Sequence, residues 1–125
     1  MIRLLFYSYL LLLRVDMLLK ARNLRAIYDL VRRQPIASPP NEKANSIEAI
    51  CRAMDLACAL YVKPVKCLQR SAATTVLLKR FGWKAKLVIG AQILPFKAHA
   101  WTEVDGCVIH EKPSLVSLYT VLDRC

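Results

Sequence analysis

Glycine is almost missing from this chain, with three in 125 residues. Set beside a hydrophobic content of 56%, that scarcity excludes a disordered chain and favours a globular, helix-rich one. Acidic residues are also few, nine against nineteen basic, and the formal net charge is +10. Such a balance favours acidic partners: nucleic acid, an anionic membrane surface or an acidic peptide. Specific support for nucleic acid is lacking, because no helix-turn-helix, RNA-binding signature or metal-finger spacing is present. There is no CxxC, and the five cysteines, an odd count, fit no disulfide framework, which points to a reduced, cytoplasmic protein. No apolar run reaches the roughly 20 residues that cross a bilayer. Leu4 to Leu13 mimics the core of a signal peptide, but Arg14, Val15 and Asp16 follow it instead of a small-residue cleavage site. The stretch is read as a helix that packs on its own domain or on a partner, and membrane contact is not expected.

Taken in order, residues 3–33 read as helix, broken near Asn23. The second part sets Leu24, Ile27, Tyr28 and Val31 against Arg25, Asp29, Arg32 and Arg33 at helical spacing. Residues 34–40 (QPIASPP) break the chain, dividing an N-terminal helical segment, 1–40, from the remainder, 41–125, within a single compact domain. Asn45 is the expected cap of the next helix, with Glu48 placed to reach back to it. Ile47, Ile50, Cys51, Met54, Cys58 and Tyr61 form one apolar stripe, on which Cys51 and Cys58 act as small buried hydrophobes. A further helix runs from Cys67 to about Arg80, with small Ser71, Ala72 and Ala73 facing a sheet and Gly82 as its stop. Strands are expected at Lys84–Ala91, Ala98–Val104 and Cys107–Glu111, with an Asp105-Gly106 turn between the last two. The tail from Ser114 offers only an apolar face of Leu115, Leu118 and Leu122.

Chemistry concentrates at Cys67 and His99. A thiol must ionise to attack, and a helix start offers it partial positive charge. Residues 62–102 add eight Lys or Arg and no Asp or Glu. His99 arrives 32 residues later, across one strand and a loop, with Trp101 placed to shield its imidazole. The pair has the composition of a nucleophile and its base. An acid should orient the imidazole, and Glu103, Asp105 and Glu111 are candidates. A two-residue turn pairs Val104 with Cys107, whereas a three-residue loop with a G1 bulge pairs Glu103 with Cys107 and sets Glu111 opposite His99. The second register selects Glu111, leaving Asp105 to turn chemistry. The Cys67 backbone N–H is the natural oxyanion donor, with Gln69 a possible side-chain one. Zinc binding through Cys107 and His110 is disfavoured, since residues three apart on a strand face opposite ways.

The pattern Cys67-Leu68-x-Arg70-Ser71, then Leu87-Val88-Ile89-Gly90, then His99-Ala100-Trp101-x-Glu103-Val104-Asp105-Gly106 resembles the transglutaminase-like cysteine protease domain of lasso peptide biosynthesis, over about residues 45–112. The resemblance implies an α+β, papain-like fold: a nucleophile-bearing helix on a small antiparallel sheet, with N-terminal helices alongside. It implies a cysteine protease that removes the leader peptide from a ribosomal precursor, with Cys67 as nucleophile, His99 as base and no cofactor. The family usually has Asp where this chain has Glu111. About 45 residues before the capped helix leave no room for a fused recognition domain, so the chain resembles the split form. That form implies a separate small leader-recognition protein and an ATP-dependent macrolactam cyclase as partners. Two other readings stand beside it: an acyltransferase or transglutaminase on the same fold, and a non-enzymatic basic module that binds nucleic acid.

Overall fold

A computed structural model describes residues 2–21, 23–37, 46–93, 95–109 and 113–125. Four helices precede the sheet: α1 (Ile2–Lys20), α2 (Leu24–Arg33), α3 (Ile47–Leu60) and α4 (Cys67–Arg80). Strands β1 (Ala85–Gln92), β2 (Lys97–Val104) and β3 (Cys107–Ile109) follow, then a short α5 (Pro113–Val116) and β4 (Thr120–Arg124). The strands form one antiparallel sheet in the order β3-β2-β1-β4. This is the expected α+β architecture.

Local signals account for most boundaries. The break near Asn23 is a helix cap, for Asn23 Oδ1 accepts from the Ala26 N–H at 3.0 Å. Ser46 performs that task for α3, accepting from the Ala49 N–H at 3.1 Å. It stands one residue after the expected Asn45, which lies outside the described residues. Gly82 ends α4 in a Schellman arrangement: its N–H donates to the Lys79 carbonyl and that of Trp83 to Leu78. The tail contradicts its reading. It forms β4, an edge strand paired to β1, and its Leu115, Leu118 and Leu122 are exposed rather than an inward face. Strand alternation there is carried by pairing with β1, not by apolar burial, so no period-2 signal marks it.

One core joins the helices to one face of the sheet. Leu12, Val15, Ile27, Ile50, Met54, Leu77 and Leu78 are fully buried with Leu87, and Ala85, Ala100 and Val104 close the sheet side. Cys51 belongs to the stripe of α3 as expected. The outward face of α1 keeps Ile2, Phe6 and Met17 exposed. Among the described residues, no helix is long and apolar enough to cross a membrane.

Polar contacts fix the segment that leads into α4. The Asp16 carboxylate is buried, accepting from Tyr61 Oη at 2.9 Å and pairing with Lys63 Nζ at 2.8 Å. Gln69 Nε2 donates to the Leu12 carbonyl at 3.0 Å, so α1 grips both sides of the turn before Cys67. The Lys63 hydrogen bond, aided by Tyr61 and opposed by burial, holds the Asp16 pKa below the usual carboxylate value. A lowered carboxylate pKa gives stability that is complete above the unfolded-state value and lost as pH falls through the folded one. Thermal unfolding followed from neutral to acid pH should therefore show a decline in the acid range that Asp16→Asn flattens. At neutral pH the same variant should cost about 1–3 kcal/mol, because Lys63 loses its charged partner and a single acceptor oxygen is left for Lys63 and Tyr61.

Candidate active site

The start of α4 places the thiol. Lys66 occupies the cap position and makes no side-chain cap bond, so the first N–H groups of the helix are not consumed by a capping side chain. Cys67 opens the helix and is exposed. One turn later the helix is tied to β2: Ser71 Oγ donates to the Ala100 carbonyl at 3.0 Å, and Thr102 Oγ1 donates to the Ser71 carbonyl at 3.1 Å. Thr75 Oγ1 and Thr102 Oγ1 lie 3.1 Å apart. Small residues at 71–73, all buried, permit that approach. Cys67 precedes Ser71 by one turn and His99 precedes Ala100 by one residue, so the same anchors bring both to one end of β2.

Cys67 and His99 line one cleft of about 190 Å³, with Leu24, Tyr28, Leu68 and Ile89 among its walls. A second cleft of about 190 Å³ opens on another side of Cys67, beside Arg70, Thr74 and Ile109. Larger clefts of about 350 and 510 Å³, by Arg14 and by Lys84, include neither cysteine nor histidine.

The half-buried imidazole is fixed by aromatic rings. Along β2, alternation separates Ala100 and Thr102, which α4 contacts, from His99 and Trp101. The His99 ring stacks on Trp101 at 5.9 Å between centroids and meets Tyr119 at 5.4 Å. Trp101 is 1% exposed, so the ring stacked on the imidazole is itself buried. Its indole passes over Gly90, where a Cβ would stand 2.6 Å from the ring. Tyr119 escaped the sequence reading because it lies in the tail, at no spacing that relates it to His99.

The three candidate acids separate. Asp105 has φ 51° and Gly106 φ 81°, both positive, as a type I′ turn requires. The ladder pairs Val104 with Cys107, Glu103 with Val108 and Thr102 with Ile109. The two-residue turn is therefore the one formed, and the bulged register that favoured Glu111 is not. Asp105, exposed at the turn, serves the hairpin. Glu103 accepts from Trp101 Nε1 at 3.1 Å and from Arg124 Nε at 3.4 Å, so it steadies the indole. Glu111 and His110 lie outside the described residues. Gln69 is not the side-chain oxyanion donor expected beside Cys67, for it is 1% exposed and its amide donates to the Leu12 carbonyl.

Thiol environments distinguish Cys67 from its neighbours. Burial pushes the Cys51 thiol up to about 12, and it also raises those of Cys58 and Cys125. Iodoacetamide should modify Cys67 and Cys107, both exposed, in the native protein. Cys51 should react only after denaturation, as peptide mass spectrometry would show.

A family model described as the transglutaminase-like superfamily matches residues 9–124. No curated protein and no solved structure matches the chain. The family match runs from the middle of α1 to the end of β4 and so includes every element that positions the thiol and the imidazole. Members of that superfamily are generally enzymes of the cysteine protease or acyltransferase type. With its match spanning nearly the whole sequence, this chain belongs to the transglutaminase-like superfamily.

Proposed function

We propose that this protein is a cysteine peptidase that removes the leader from a ribosomally made lasso peptide precursor. The observation that carries the reading is the cleft bordered by both Cys67, exposed at a helix start with no side-chain cap, and His99, whose ring is braced by Trp101 and Tyr119. His99 takes the proton of Cys67, and the thiolate attacks the last carbonyl of the leader. Charge developing on the carbonyl oxygen meets the N–H groups at the start of α4. His99 then returns its proton to the departing amine. Water attacks the thioester, releasing the leader acid and restoring the thiol. Glu111 is assigned to orient the far nitrogen of the imidazole, on the strength of the family resemblance.

The partners belong to the same proposal: a small leader-recognition protein and an ATP-dependent cyclase that closes the released core. The test is to mix precursor, recognition protein and this chain and weigh the products. Two fragments whose masses sum to precursor plus one water support the peptidase. An amide-linked product, formed with loss of an amine, favours the acyltransferase reading of the same residues.

A further inference from the structure

We propose that the cleft between Cys67 and Arg70 reads an acidic side chain on the acyl side of the scissile bond. The inference rests on the acyl-transfer reading of Cys67. Cys67 borders two clefts, one containing His99 and one containing Arg70. An imidazole that protonates the departing amine requires the leaving half on its own side. The acyl half then lies toward Arg70.

That second cleft has an unusual balance of donors and acceptors. Ser71 Oγ donates to the Ala100 carbonyl, Thr74 Oγ1 to that of Arg70, and Thr102 Oγ1 to that of Ser71. With those hydroxyl protons committed, the side-chain donor left for a ligand is the Arg70 guanidinium. Arg70 Nε is the buried side-chain polar atom that lacks a hydrogen bond among the described residues. Its Nη2 is held by the Asp55 carboxylate at 2.6 Å, a pair with side chains 36% and 54% exposed. Such half-exposed pairs hold weakly, so a substrate carboxylate can compete for the fork. A carboxylate can take both Nε–H and Nη2–H, which satisfies the orphaned nitrogen and gives bidentate geometry. Lys66, next to Cys67, adds to the positive field, and residues 62–102 contribute no opposing carboxylate.

The test uses the full chain and two short peptidyl vinyl sulfones that differ only in Glu or Gln at the residue bearing the warhead. The Cys67 thiolate adds to the vinyl carbon, the neighbouring carbon takes a proton, and the adduct is counted by mass spectrometry. We expect the Glu probe to label Cys67 about tenfold faster at low salt, with the preference shrinking as salt screens it. Arg70→Gln should bring the ratio to about one, while Asp55→Asn should keep the preference, which separates substrate reading from a merely structural ion pair. The Glu/Gln ratio in the unaltered protein decides the matter even where Arg70→Gln folds poorly. Equal labelling by both probes, or a preference that survives in well-folded Arg70→Gln, overturns the inference while leaving the nucleophile in place. Labelling of Cys67 by neither probe, with iodoacetamide still reacting there, counts against the acyl-transfer reading and against this inference with it.

Discussion

Cys67→Ala is expected to remove at least ~10³-fold of the turnover while leaving unfolding behaviour close to that of the parent chain. Two observations set the two halves of that expectation. The side chain is exposed at a helix start, so losing its sulfur opens no cavity in the core. No other cysteine can replace it: burial raises the thiols of Cys51, Cys58 and Cys125, and Cys107 lies on β3, outside both clefts beside Cys67. His99→Ala should cost a comparable factor, and the double variant little more than either single one, because nucleophile and base act as a unit. Precursor cleavage read by mass spectrometry, with circular dichroism to check the fold, measures all three. Wild-type cleavage by Cys67→Ala, joined to steeply salt-dependent DNA binding, would instead favour the basic-module reading.

The second large effect is expected at Gly90, far less conspicuous in the sequence. A Cβ built there stands 2.6 and 2.8 Å from two carbons of the Trp101 ring and 3.0 Å from Tyr119 Cβ. Trp101 has no room to yield: it is buried, and its indole nitrogen is bonded to Glu103. Gly90→Ala should therefore destabilise the protein by about 2–3 kcal/mol through overpacking. It should also lower activity beyond what unfolding explains, because Trp101 and Tyr119 are the rings that brace His99. A urea titration gives the first quantity, and turnover per folded molecule gives the second. Ala91→Gly, on the neighbouring position of β1, makes no such collision and serves as the contrast.

The legible parts of this chain were those written in local chemistry. Helix spacing in 24–33 and 47–61, the Asn23 break, the Gly82 stop and the alternation of Ala85, Leu87 and Ile89 each map onto the element they foretold. Cys67 at a helix start and His99 before a shielding tryptophan were readable for the same reason. What was not readable depended on pairing between distant segments. Whether Asp105-Gly106 makes a two- or three-residue loop is decided by the backbone of the hairpin, and both registers suit the same letters. Strand β4 exists because β1 offers an edge, not because its own sequence alternates. Tyr119 reaches His99 only through that pairing. Gln69 looked available beside the nucleophile, but α1 packs over it and takes its amide.

In the proposed mechanism the imidazole, braced by Trp101 and Tyr119, draws the proton from the thiol with which it shares a cleft. The most direct measurement of that step needs no substrate: the rate of iodoacetamide modification of Cys67 relative to Cys107 in the same molecule, before and after His99→Gln. Cys107 is also exposed and lines neither of the clefts beside Cys67, so it reports general accessibility. If His99 serves as the base, the Cys67 to Cys107 ratio at neutral pH should fall about tenfold in the variant. An unchanged ratio in a folded variant would contradict the pairing of Cys67 with His99.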